Sequence, residues 1–183
     1  NWQDGERLGK GIYTWPSGSK FVGDFKKWDL NGFGVFTFPD GSRYEGEFKD
    51  GEFHGIGNKT EKDLGKYEGH WKNGEMDGKG SLTFHNGYNI TGEWKEGSPK
   101  SGTASWPNGN KYEGKFKDWE WNGQGKFTVQ SGHNITGKFK LHKPWQTIEY
   151  DKNGAIVGKI VNGVQTIENS LQIIPKLEVD VTI

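Results

Sequence analysis

The residues able to move protons or hold metals are the first to test. The histidines are His54, His70, His85, His133 and His142. They are scattered, and none recurs at the short, fixed offsets that a metal site needs. The chain has 0 cysteines, which removes thiolate ligands, disulfides and cysteine nucleophiles. No serine sits in a nucleophile-elbow or related motif, and no glycine-rich phosphate loop is present. Carboxylates are plentiful, but most fall in repeating columns where solvation accounts for them. The sequence therefore predicts no enzyme, no cofactor, no metal and no small-molecule substrate.

What recurs is binding chemistry. Tyr13, Trp15, Phe36, Phe38, Phe48, Trp71, Phe84, Trp94, Trp106 and Phe127 fall at equivalent positions of a repeating pattern. Together they predict an aromatic face able to take an amphipathic helix or an extended peptide. A second column is basic: Lys26, Lys49, Lys72, Lys95, Lys117 and Lys140. Lys49, Lys72 and Lys95 are its candidates for contact with anionic lipid headgroups. Asp24, Glu47 and Glu93 stand two residues before three of the lysines, and the net charge is +0. A solvated outer face with alternating charges is thus the favoured reading, and membrane contact the less favoured one. The same neutrality argues against nucleic acid. Protein partners or self-association remain.

Side chains can form such columns only if regular elements repeat in phase. The segments Phe21–Lys26, Tyr44–Lys49, Tyr67–Lys72, Ile90–Lys95, Tyr112–Lys117 and Ile135–Lys140 align, with a faded copy at Ile156–Val161. Their central glycines, Gly23, Gly46, Gly69, Gly92, Gly114, Gly137 and Gly158, are spaced by 23, 23, 23, 22, 23 and 21. Each segment leads through a turn signal, such as Asp50-Gly51 or Asn73-Gly74, to a G-x-G pair and a short alternating run. Two period-two runs bounded by turns predict one β-hairpin per repeat. Rings and glycines share one face of each strand. The missing glycine side chains are expected to make room for rings of neighbouring strands.

The pattern Tyr-Glu-Gly-x-Trp/Phe-Lys-x-Gly-x-x-x-Gly-x-Gly resembles the MORN repeat over residues 4–163, and residues 67–89 are the cleanest copy. The resemblance implies an all-β fold: an elongated single-layer antiparallel β-sheet of tandem hairpins, about seven repeats of ~23 residues. The units lie near 4–20, 21–43, 44–66, 67–89, 90–111, 112–134, 135–155 and 156–166, giving an array over residues 1–166. It also implies a non-catalytic scaffold that tethers, organises or dimerises, with a cytoplasmic or cytoskeleton-associated setting favoured.

The copies are uneven. Asn58-Lys-Thr-Glu-Lys62 stands where rings are expected, Trp28 and Trp119 replace hairpin glycines, and Ser98-Pro-Lys-Ser-Gly102 is one residue short. Residues 167–183 carry no repeat signature, but Leu177, Val179, Val181 and Ile183 alternate like a strand. They are expected to be a C-terminal capping strand or an interaction arm. The alternative to the intracellular scaffold is a surface or secreted module that binds glycan or lipid headgroups, or that polymerises through this strand. Asn58-Lys-Thr60, Asn89-Ile-Thr91 and Asn134-Ile-Thr136 match the N-glycosylation acceptor and lend that alternative slight support.

Overall fold

A computed structural model describes residues 2–3 and 6–166; the expected cap or arm at 167–183 lies outside the described residues. Every described element is a strand. The first nine are β1 (Trp2–Gln3), β2 (Glu6–Thr14), β3 (Lys20–Lys26), β4 (Asp29–Thr37), β5 (Arg43–Lys49), β6 (Glu52–Glu61), β7 (Gly65–Lys72), β8 (Glu75–Phe84) and β9 (Asn89–Lys95). They are followed by β10 (Ser98–Ser105), β11 (Lys111–Lys117), β12 (Glu120–Thr128), β13 (Asn134–Lys140), β14 (Lys143–Tyr150), β15 (Ile156–Val161) and β16 (Val164–Gln165). They form one antiparallel sheet in chain order, without crossovers. The fold is thus the all-β sheet of tandem hairpins that the spacing predicts.

The chain divides into two compact units. One comprises Asn1–His85 with Glu93–Gly97, the other Asn86–Gly92 with Ser98–Ile183.

Two kinds of turn alternate along the chain. The turn inside each repeat is two residues long with positive φ at both positions, as the twist of a hairpin demands. Asp50 and Gly51 have φ of 50° and 85°, and Asn73 and Gly74 have 50° and 80°. Trp28 (75°), Trp119 (66°) and His142 (61°) adopt the same left-handed backbone where glycine would be strain-free. The turn between repeats is a three-residue loop that ends on a left-handed glycine at Gly18, Gly41, Gly87, Gly109, Gly132 and Gly154, whereas the loop at 62–64 between β6 and β7 has none. In one copy the Gly41 N–H bonds to the Phe38 carbonyl at 3.1 Å and the Phe38 N–H to the Ser42 carbonyl at 2.8 Å. The Asp40 carboxylate accepts from the Ser42 N–H at 2.9 Å, which holds Asp40 below the usual carboxylate range.

In the first unit, Gly11, Gly23, Gly34, Gly46, Gly57, Gly69 and Gly80 pair across successive strands, forming a bare row through the sheet. The row exists because rings lie on it. A Cβ on Gly46 would stand 2.8 Å from the Tyr44 Oη, and one on Gly57 would run into the same ring. In the second unit the row runs through Gly102, Gly114, Gly125 and Gly137 and ends on Thr147.

Three Tyr hydroxyls then reach past the row, each to a backbone carbonyl beside the register shift of its own strand. Tyr44 donates to Glu47 O at 2.9 Å, Tyr67 to His70 O at 3.2 Å and Tyr112 to Lys115 O at 2.9 Å. A carbonyl that a bulge leaves without its ladder partner is costly to strand in an apolar layer, so the phenol here replaces a sheet hydrogen bond.

Edge-on ring contacts carry the order from repeat to repeat. Tyr44 meets Phe48 at 5.0 Å and Trp71 at 5.4 Å, and Tyr67 meets Trp71 at 5.1 Å and Trp94 at 5.3 Å. Such pairs contribute about 0.5–1.5 kcal/mol each beyond burial. Backbone bonds at the turn tips add to this: the Gly51 N–H bonds to Leu30 O, Gly74 to Phe53 O and Gly97 to Met76 O.

Candidate interaction face

The ten rings predicted for the binding face fall into two groups. Phe48, Trp71, Trp94 and Phe127 are buried by neighbouring rings within the sheet itself. Tyr13 is exposed, and Trp15, Phe36, Phe38, Phe84 and Trp106 are half-buried. The alternation of a strand explains the side that they share, but not this split. Phe48, Trp71 and Trp94, nearest the two-residue turns, sit under the edge-on contacts between repeats, whereas the half-buried rings stand nearer the three-residue loops; Phe127 also stands at a loop end but is covered by Trp106 and Trp121. Tyr13 packs on Trp15 at 4.7 Å and Trp15 on Phe36 at 5.3 Å, while Trp106 tilts against Tyr88 at 4.9 Å.

The ring face of the first unit is interrupted once by charge. The column of Tyr13, Phe36 and Leu82 passes through Lys59, and that of Trp15, Phe38 and Phe84 passes through Glu61. Lys59 and Glu61 pair with each other, half-buried, with the ammonium 5.8 Å and 5.9 Å from the Phe38 and Phe53 ring centres. Two rings are missing here, and a half-open cavity of about 200 Å³ takes their place. Leu64, Tyr67, Trp71, Met76 and Leu82 line it, with Lys59, Glu61 and Glu75 also contributing. Sequence reasoning noted the irregular Asn58–Lys62 stretch without seeing a pocket. Stepping 23 residues from Phe36 reaches Lys59 and was the available signal.

The same column in the second unit ends on Glu149, which pairs with Ile135 as Phe127 pairs with Tyr112. Sequence reasoning missed this residue too. Burial pushes its carboxyl above the ordinary range.

The opposite face carries the lysine column, and all six lysines are exposed. Lys95 pairs with Asp77 at 2.9 Å. Lys49 and Lys72 extend into solvent. This face is less uniformly polar than the alternation predicts. Ile12, Val22, Phe33 and Ile56 are exposed on it, with Ile12 opposite Val22 and Val22 opposite Val35. Among the described residues no three His, Asp or Glu side chains gather as a metal site, and no helix is long and apolar enough to cross a membrane.

A tandem array of two-stranded units, each laying a ring across paired glycines, is a hairpin-repeat protein. Residues 1–20, 21–43, 44–60 and 67–87 match the model of the MORN repeat, and this part of the chain is a MORN-repeat array. No curated protein matches the chain in sequence. Among solved structures it is similar to the TCP domain of SAS-4 (dCPAP) in complex with a proline-rich motif of Ana2 (dSTIL) of Drosophila melanogaster. That likeness has 15% identity and a TM-score of 0.45, and covers 80% of this chain and 86% of that one. A catalytically inactive virginiamycin B lyase from Staphylococcus aureus with quinupristin is also similar, at 13% identity and a TM-score of 0.17, covering 93% of this chain and 73% of that one. Neither score is high enough to bear on function.

Proposed function

We propose that the chain is a non-catalytic interaction scaffold whose ring face receives a segment of another protein. One observation carries this reading: the half-open cavity among Tyr67, Trp71, Met76 and Leu82, opened where Lys59 and Glu61 replace two rings. An apolar cavity with a few polar groups at its margin suits one large apolar side chain of a bound segment. The half-buried rings Phe36, Phe38 and Phe84 supply rigid contact area in the same unit, at low entropic cost.

The lipid and glycan alternative has less support. Lys95 is already paired with Asp77, and Arg43–Glu45 and Lys66–Glu68 pairs intersperse both charges among the exposed side chains. A Debye length of about 8–10 Å further screens the remaining lysines.

The test is a peptide-display selection on the full chain, followed by binding to two variants. Lys59→Tyr restores the ring and fills the cavity; Phe84→Ala removes a half-buried ring. Selected peptides should carry a large apolar residue and should lose at least ten-fold in affinity for both variants, with the sheet's circular dichroism unchanged. Peptides that bind both variants as tightly as the parent would end this reading. So would a selection yielding binders only to the lysine face, lost on replacing Lys49 and Lys72 by Glu.

A further inference from the structure

The cavity beside Met76 has a counterpart two repeats earlier in the first unit. An open groove of about 460 Å³ lies between Trp15, Trp28, Leu30 and Phe36. Moving 46 residues along the chain, two pitches of 23, carries Trp15 to Glu61, Asp29 to Glu75, Leu30 to Met76, Phe36 to Leu82 and Gly51 to Gly97. The first member of every pair lines the groove, and the second lines the cavity. Groove and cavity are thus one structural locus, open in two repeats.

The repeat between them shows what closes it. Leu30 opposite Phe25, Phe53 opposite Phe48 and Met76 opposite Trp71 hold the same place in their hairpins. Phe53 lays its ring on Tyr44, with centroids 3.8 Å apart and planes within 11°, and meets Trp71 edge-on at 5.4 Å. A flat ring fills the locus, whereas the aliphatic chains of Leu30 and Met76 leave it open.

Trp28 marks the groove as a contact site. It holds the turn position that Gly51 and Gly74 occupy in the next two repeats, its φ is 75°, and it is 52% exposed. A bulky side chain in left-handed backbone is strained, and such strain gathers where a protein meets a ligand. Charge gives the occupant its sign. Asp29 is the charged side chain among the described residues that line the groove. In the cavity Lys59 and Glu61 pair with each other, which leaves the charge of Glu75. Each hollow therefore presents one uncompensated acid in its lining.

The spacing fixes the occupant's form. Two repeats are four strands, about 19 Å at the ordinary separation, and six residues of extended chain span about 20 Å. Six is even, so alternation turns both side chains toward the sheet. Building on the partner-binding reading above, we infer that the first unit holds one extended segment of a partner protein at both sites. The segment crosses the strands and carries two large apolar side chains six residues apart, one in the groove beside Trp28 and one in the cavity beside Met76. A basic residue near each anchor answers Asp29 and Glu75. Once one anchor is seated, the other binds at high effective concentration.

Peptide-display libraries on the full chain test this. Each library fixes two tryptophans at one separation, from four to fourteen residues, and randomises the other positions. The separation of six should enrich most, with Lys or Arg near both tryptophans. The best such peptide should lose at least ten-fold in affinity on Trp28→Gly, on Lys59→Tyr, and on Asp29→Lys combined with Glu75→Lys. Trp28→Gly restores the turn residue of the next two repeats, and its circular dichroism separates lost binding from lost fold. Enrichment that ignores the separation, or an affinity unchanged by Trp28→Gly and by the double lysine variant, overturns the two-site segment; the single-cavity reading survives if Lys59→Tyr still weakens binding. A peak at thirteen or fourteen residues overturns the extended form in favour of a helix. Affinity unchanged by Lys59→Tyr as well ends both readings.

Discussion

Trp71 donates its indole N–H to the carbonyl of Gly57, 3.1 Å away, and so ties one repeat to the bare glycine row of the one before it. Trp94 makes the same bond to Gly80 at 3.1 Å. The pairing turns glycine's lack of a side chain into cohesion: the backbone is accessible to a neighbour's ring, and the ring both covers it and satisfies it. Trp121, which enters from the second strand of its repeat, has no such partner for its indole nitrogen among the described residues.

Replacing Trp71 by Phe should therefore cost more than lost area. The ring contacts with Tyr44 and Tyr67 largely survive, but the indole bond to Gly57 does not. The expected loss is about 1–2 kcal/mol, read as a lower urea midpoint at an unchanged slope.

Glycines of the row and glycines of the turns should respond differently to alanine. At Gly57 a Cβ runs into the Tyr44 ring, whereas at Gly41 nothing lies within 4 Å and only the φ of 89° opposes it. Gly57→Ala should destabilise by about 2–4 kcal/mol through overpacking, and Gly41→Ala by about 1–2 kcal/mol through left-handed strain. Urea denaturation of the two variants side by side checks the order; equal losses would show that the ring is free to move aside.

Leu141 is a strained residue with little to hold it in place. It has φ of 52° in a two-residue turn and is 55% exposed. Leu141→Asn suits that backbone far better and should raise stability by about 0.5–1 kcal/mol, visible as a higher thermal midpoint.

Glu149 gives a pH signature of known sign. Its carboxyl is pushed up in the folded chain by burial alone. A raised carboxyl stabilises the fold fully below its unfolded value, and that contribution is lost as pH rises through the folded value. Glu149→Gln should accordingly be more stable than the parent at neutral pH, with the gap closing as the pH falls toward 4. Urea midpoints measured across that range for both proteins would show it; a gap that is constant with pH would place the carboxyl in water.

Asp77 and Lys95 form the opposite case. Each favours the charged state of the other, but both stand at the surface. Asp77→Asn should lower stability by no more than about 1 kcal/mol, and the difference should vanish in high salt when thermal midpoints are compared with and without it.

The sequence by itself determined the repeat, the hairpins and the side on which each residue falls, because strand alternation and turn chemistry are local. The 23-residue pitch carries Phe21, Tyr44 and Tyr67 to equivalent places whatever else the chain does. The glycines announced close approach, and Tyr44 lying over Gly46 and Gly57 is that approach. Which rings stay open was not a local matter. Phe48 and Phe84 share a pattern and a face, yet one is sealed by Phe21, Tyr44 and Phe53 while the other keeps surface free. Only the three-dimensional lattice of edge-on rings decides that, since part of a ring's cover comes from another repeat, as Phe21 covers Phe48, and from the tilt of the rings. The same holds for Lys59 and Glu149. Both are ordinary charged residues in the linear chain, and they become a pocket wall and a buried acid only because packed neighbours exclude water from one side of the sheet.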